Sequence, residues 1–132
     1  MEIEGVTMKV LFPGKFNPIH VGHILQIAKL VKNYDITVGV QCNRTFKRVI
    51  TYEEVKFILD TIFDKKVIVY KYNKSYISGF PKKIKDNFDM VASGNIKIIL
   101  SAYRQDIKVI QLNRIKGYRA SKMKRMYENG KN

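Results

Sequence analysis

The run Phe12-Pro13-Gly14-Lys15-Phe16-Asn17-Pro18-Ile19-His20-Val21-Gly22-His23 decides how this chain folds. Ahead of it, Val6 to Phe12 is β-branched and apolar with a single Lys, the composition of a buried strand rather than of one alternating between core and water. Pro13-Gly14 stops that strand. Behind it, Gly22 to Lys32 sets Ile24, Leu25, Ile27, Ala28 and Val31 along one side of a helix. A strand, a turn and a helix start in one stretch predict a first βα unit, and both histidines fall at the helix entrance.

The same alternation continues outward. Strands are expected at Asp35 to Val40, Lys66 to Tyr72, Phe88 to Ala92 and Asp106 to Leu112. Between them, Thr51 opens a helix as a capping box with Glu54, ahead of Val55, Ile58, Leu59 and Ile62. A short helix follows Pro81, Ile96 to Tyr103 is helical, and Ser121 to Asn129 closes the chain with a helix. Five βα repeats predict an α/β fold: a Rossmann-like, doubly wound, five-stranded parallel sheet with helices on both faces, forming one domain over 1–132. Such sheets bind ligands at the carboxyl ends of their strands, where the strand order reverses. The loop after the first strand is therefore the first candidate site.

Composition narrows the ligand. The 132 residues are 45% apolar, enough for one core and against intrinsic disorder, yet 25 Lys and Arg face only 11 Asp and Glu, a net charge of +14. With a pI near 9.9, some face of the molecule attracts phosphate: nucleic acid, an anionic membrane surface or a phosphorylated small molecule. One cysteine, Cys42, makes neither an internal disulfide nor a zinc site, and Met1 to Thr7 has no signal-peptide pattern, so a cytoplasmic location is expected. No apolar run reaches the roughly 18 residues of a membrane span, so no membrane partner is expected.

At the first loop, unpaired backbone N–H groups and the positive end of the helix dipole favour an anion, and Gly22 allows close approach. His20 and His23 can each donate a hydrogen bond to phosphate oxygens while staying near neutral. A metal site is disfavoured, because no third ligand stands nearby at helical spacing and His-Glu-x-x-His is absent.

The unbroken series of strand, Pro-Gly turn, Phe16, Asn17-Pro18 and His20-Val21-Gly22-His23 resembles the His-x-Gly-His nucleotidyltransferases, the cytidylyltransferase-like superfamily. Nicotinamide mononucleotide and phosphopantetheine adenylyltransferases and glycerol phosphate cytidylyltransferases belong to it. Asn43 to Lys56 is similar to the phosphopantetheine adenylyltransferase segment in which basic residues lead into Thr-x-Glu-Glu-Arg, with Val55 here in place of that Arg. Phe88 to Asn95 looks like the strand and turn before the base site of archaeal nicotinamide mononucleotide adenylyltransferases. Ser121-Lys122-Met123-Lys124 resembles the second family signature, with Lys for its Arg. Asn17 stands where Asp is usual, Lys15 where Thr or Arg is frequent, and Arg119 where a small hydroxyl residue is common.

The resemblance implies transfer of a nucleoside monophosphate, AMP from ATP, to the phosphate of a small acceptor with release of pyrophosphate. His20 and His23 would hold the α- and β-phosphates, with Lys15 close by. Ser121 and Lys124, with Arg125 as the alternative register, would hold the β- and γ-phosphates, and Lys47 or Arg48 would cover them. Phe12, Pro13, Gly14, Phe16, Asn17, Gly22, Gly94, Asn95 and Arg119 complete the implied nucleotide site. Mg²⁺ would accompany the triphosphate through phosphate oxygens and water, since no carboxylate cage is visible. A CTP-dependent cytidylyltransferase acting on a polyol phosphate such as glycerol 3-phosphate is the competing enzyme reading, favoured by Arg114 and Gly117.

From another class, a basic nucleic-acid-binding protein on the same fold would account for the charge. Lys65 to Lys85 is rich in Lys and holds no acidic residue, and Tyr70, Tyr72, Tyr76 and Phe80 interleave with it, either to stack a ring or to pack the core. The acceptor and the oligomeric state, homo-oligomer or monomer, have no signature in the chain.

Overall fold

A strand that is apolar on both faces is stable only under two layers of cover, and this chain supplies both. The computed structural model describes residues 2–3, 6–43, 46–81 and 83–113. Glu2–Ile3 (β1) and Val6–Thr7 (β2) pair antiparallel. The chain then runs through Lys9–Gly14 (β3), Val21–Leu30 (α1), Asp35–Gln41 (β4), Tyr52–Ile62 (α2), Ile68–Tyr72 (β5), Lys83–Asn87 (α3), Met90–Ser93 (β6), Ile96–Arg104 (α4) and Val109–Gln111 (β7). The five strands β5-β4-β3-β6-β7 form one parallel sheet in that order. The fold is the expected Rossmann-like α/β sheet.

The order places the reversal at β3. The chain moves outward from β3 to β4 and β5, then returns to lay β6 on the other side of β3. The carboxyl ends of β3 and β6 thus flank the crevice where a doubly wound sheet takes its ligand.

Two core layers follow from the strand period of two. Val10 and Phe12 of β3 and Ile36, Val38 and Val40 of β4 pack with Ile27 and Leu30 of α1 and Val55 and Leu59 of α2. Leu11 faces the other way, into a layer made with Tyr76, Phe80, Ile84, Val91, Ile98 and Ala102. Gly39 lies in the middle of β4 because a Cβ there would stand 2.2 Å from the Tyr76 hydroxyl. Tyr76 is fully buried, its hydroxyl 3.1 Å from that of Tyr70, and its ring lies 4.4 Å from Tyr72 and 5.3 Å from Phe80. These aromatics are core packing.

The first strand differs from the expectation at both ends. Val6–Thr7 pairs with Glu2–Ile3 instead of entering the sheet, whose register with β4 starts at Lys9 opposite Asp35. Pro13 and Gly14 extend the strand rather than stopping it. They pair with Gly39 and Val40 of β4, while β6 reaches only Val10 and Leu11, so β3 is locally an edge strand where the proline's missing N–H does no harm.

Lys65, Lys66, Lys71 and Lys74 are exposed on and around β5, an edge of the sheet, where charge opposes pairing with another chain. Among the described residues no helix is long and apolar enough to cross a membrane. The helix expected at Ser121 to Asn129 lies outside them.

Candidate active site

Helix α1 begins where β3's loop delivers two histidines. His20 is the N-cap, in extended backbone with φ −139° and ψ 176°, and His23 is the third helical residue. The amide of Gly22 donates to His20 Nδ1 (3.1 Å), and the amide of His20 donates to His23 Nδ1 (3.1 Å). This is a capping box built from imidazoles: each ring satisfies an orphan donor of the helix start. Because both Nδ1 atoms accept, the network assigns both ring protons to Nε2.

The two rings stack with centroids 3.8 Å apart and planes 24° from parallel. Phe16 meets His23 edge-on at 4.8 Å, and itself meets Phe12 at 5.5 Å. Burial therefore pushes the pKa of His23 down to about 3, with His20 adding to the effect, and burial also lowers that of His20. Two neutral imidazoles with Nε2–H donors are the form that can bind phosphate oxygens without a proton being added or removed.

The loop that carries them is stitched to the loop after β4. Asn17, 6% exposed, donates from Nδ2 to the carbonyl of Lys47 (3.0 Å) and accepts at Oδ1 from the amide of Val49. An Asp at this position could accept but not donate, so both bonds suit Asn. Arg48 donates from Nη1 to the carbonyls of Lys15 (2.8 Å) and Gln41 (3.0 Å), from Nη2 to that of Phe16 (2.9 Å) and from Nε to that of Ile50 (2.9 Å). Four of its five N–H groups are thereby engaged by backbone. Lys47, in contrast, is exposed, and Lys15 is exposed with its Nζ 4.7 Å from the Phe46 ring centroid.

Phe12 and Pro13 are buried at the end of β3, and Gly14 leaves room for Phe16, whose ring would stand 3.1 Å from a Cβ there. Gly22 is buried inside the first turn of α1. Gly94 and Asn95 lie at the carboxyl end of β6, next to β3. Asn95 caps α4 by accepting from the amide of Lys97 (2.9 Å), while its own amide donates to Ser93 Oγ (3.1 Å). A Cβ on Gly94 would approach the carbonyl of Leu112 to 3.0 Å. Arg119, Ser121, Lys124 and Arg125, as well as Arg114 and Gly117, lie outside the described residues.

Sequence reading missed Gln41. Buried at the end of β4, it accepts at Oε1 from the amide of Tyr76 (3.2 Å) and donates from Nε2 to Asn43 Oδ1 (2.8 Å), tying the loop after β5 to the one after β4. Its signal was a polar residue closing an otherwise apolar strand. Among the described residues, no three His, Cys, Asp or Glu side chains cluster to hold a metal ion.

Comparison with known proteins matches this stretch of chain and this sheet. A family model described as cytidylyltransferase-like matches residues 11–62, from β3 through α2. No curated protein sequence matches. Among solved structures, the chain is similar to a bifunctional NMN adenylyltransferase/ADP ribose pyrophosphatase from Francisella tularensis, crystallised with AMP and a Mn ion. The TM-score is 0.68 at 14% identity, over 95% of this chain and 42% of that one, so this chain spans less than half of that protein's length. Residues 11–62 are thus similar to the cytidylyltransferase-like family, and the likeness to the solved structure shows the Rossmann-like fold.

Proposed function

We propose that this protein is a nucleotidyltransferase that moves AMP from ATP to the phosphate of a small acceptor and releases pyrophosphate. One observation carries the reading: the His20–His23 pair at the start of α1, neutral, stacked and protonated on Nε2, at the reversal point of the sheet. In-line attack on the α-phosphorus needs positioning and dispersal of the charge that grows on the departing pyrophosphate, and no nucleophilic side chain. His20 and His23 donate to the α- and β-phosphates, and their bonds strengthen as that charge develops. Lys15 and Lys47 add positive charge from the two loops around the crevice.

Ser121, Lys124, Arg125 and Arg119 complete the triphosphate clamp in this reading. It is supported by the course of the chain after β7: Gln26 Nε2 of α1 donates to the carbonyl of Asn113 (3.0 Å), so residue 113 lies beside the helix that bears the histidines. Gly94 and Asn95, at the end of β6, border the base. Mg²⁺ would accompany the triphosphate and supply charge neutralisation at its oxygens, held through phosphate oxygens and water. The AMP and Mn ion in the similar adenylyltransferase structure support ATP as donor and a divalent cation as companion. The reducing cytoplasm suits the single cysteine.

The test is a pyrophosphate-release screen crossing ATP and CTP with nicotinamide mononucleotide, phosphopantetheine, flavin mononucleotide and glycerol 3-phosphate. Release with ATP and one acceptor is expected. Release with CTP and glycerol 3-phosphate would move the protein to the cytidylyltransferases. Silence with every pair, joined to polynucleotide binding that weakens steeply with salt and survives His20→Ala, would make it a nucleic-acid-binding protein instead.

A further inference from the structure

We propose that Arg48 is a positioning residue that shields His23: its guanidinium pins the backbone of Lys15 and Phe16 so that the Phe16 ring stays edge-on against the His23 imidazole and limits the access of water to it. The importance of this for catalysis rests on the nucleotidyltransferase reading, whereas the shielding itself does not. A basic residue in the loop after β4 is expected to reach for phosphate. The geometry assigns Arg48 a different partner, because its N–H groups meet the carbonyls of Lys15, Phe16, Gln41 and Ile50. Those carbonyls come from the loop after β3, the end of β4 and the loop after β4. One side chain thus fixes the mouth of the crevice.

The clamp is needed because the segment it holds is strained. Phe16 has φ 47°, in the left-handed region that a residue with a Cβ occupies only at an energetic cost. Such a conformation persists only where the surroundings hold it in place. Here they do so with the Arg48 bond to the Phe16 carbonyl, the room left by Gly14, and the Asn17 stitch to Lys47 and Val49 immediately downstream. The consequence of that backbone angle is the position of the ring. Phe16 is 2% exposed and stands edge-on to His23 at 4.8 Å.

Among the described residues, few charged groups act on His23. His20 stacks on it, Lys15 turns toward Phe46, Arg48 is engaged by carbonyls, and the first turn of α1 has no acidic residue. Among the described residues, water exclusion is therefore the main influence on its protonation, and the Phe16 ring, edge-on to His23, contributes to it. Kept neutral, His23 retains the acceptor at Nδ1 that caps the helix and the donor at Nε2. Admitting water and a second proton would remove the cap.

The test is the titration of His23 followed by nitrogen-detected magnetic resonance of labelled histidine, in wild type, Arg48→Lys and Phe16→Leu, without nucleotide. Arg48→Lys keeps the charge and loses the planar fork that spans four carbonyls, so a shift in it reports position and not Coulomb attraction. Phe16→Leu leaves the clamp and removes the ring, and it carries the test should Arg48→Lys fail to fold. The expected result is a wild-type midpoint far below 6.5 that rises by at least about one pH unit in each folded variant. An ordinary wild-type midpoint, or an unmoved midpoint in either folded variant, overturns the proposal. A wild type that titrates as expected yet releases no pyrophosphate upholds the shielding and removes the nucleotidyltransferase reading.

Discussion

Helices α1 and α2 start with the same reciprocal device made from different side chains. At α2, Thr51 Oγ accepts from the amide of Glu54 (3.0 Å) and the Glu54 carboxylate accepts from the amide of Thr51 (2.9 Å), with Glu53 beside it in the first turn. At α1, two imidazoles exchange places with hydroxyl and carboxylate, and the first turn holds no acidic residue. The carboxylates of α2 answer the positive end of its dipole from within the protein. α1 satisfies its backbone donors equally well, yet adds no negative charge. Its positive end remains available to an anion from outside, and the neutral rings that cap it carry N–H groups of their own.

The largest effect that separates the two ends is catalytic. His23→Ala should lower the rate of pyrophosphate release by roughly 100- to 1,000-fold, the cost of losing one donor to developing charge, with circular dichroism still showing a folded protein. A rate within a few fold of wild type would place α1's cap beside α2's as purely structural.

Acid comes next. Unfolded, His23 has its ordinary pKa of 6.5, and in the native protein burial holds it at about 3, so the unfolded chain binds the extra proton between those values. Stability contributed by the neutral ring is complete above about pH 6.5 and is lost as pH falls toward 3, with a slope of at most about 1.4 kcal/mol per pH unit for one proton. Urea unfolding at pH 7, 6, 5 and 4 should show this slope in wild type, flattened in His23→Ala. Equal slopes in both proteins would mean that the ring is solvated.

Asn17→Asp tests the stitch behind α1's histidines. It keeps the acceptor for Val49 and turns a carboxylate toward the carbonyl of Lys47, which should destabilise the protein by about 1–3 kcal/mol in urea melts. The smallest change belongs to α2. Thr51→Ala should cost about 1 kcal/mol of stability and leave the KM for the triphosphate where it was, as expected of a cap that serves folding alone.

The parts of the molecule that were readable in advance are those in which a local rule and the tertiary structure agree. The Thr51–Glu54 box, the apolar strands, and the two histidines at a helix start following a Pro-Gly turn all depend on residues a few positions apart. What was not readable depends on partners distant in the chain. Arg48 is marked by its charge as a phosphate ligand, and only the approach of the loop after β3 puts four carbonyls around it. Asn17 looks like a substitution for a family Asp until Lys47 and Val49 are brought to it. Pro13 breaks a strand by the local rule, and continues one here because β6 stops short of it. Tyr76 and Phe80 sit among lysines in the sequence and beneath the sheet in the fold. The proposed second half of the phosphate clamp, Ser121 and Lys124, rests on resemblance and the course of the chain at Asn113.

The most direct measurement exchanges one helix start for the other. Calorimetric titration of ATP with Mg²⁺ into wild type and into the double variant His20→Thr with His23→Glu, both shown to unfold cooperatively, compares a neutral donor cap with an acidic one on the same helix. If α1's start is the triphosphate site, the variant binds ATP at least about 100-fold more weakly, a loss of about 2.7 kcal/mol. Equal affinity in the two proteins would contradict the account, because the anion would then be held somewhere other than the histidine-capped helix.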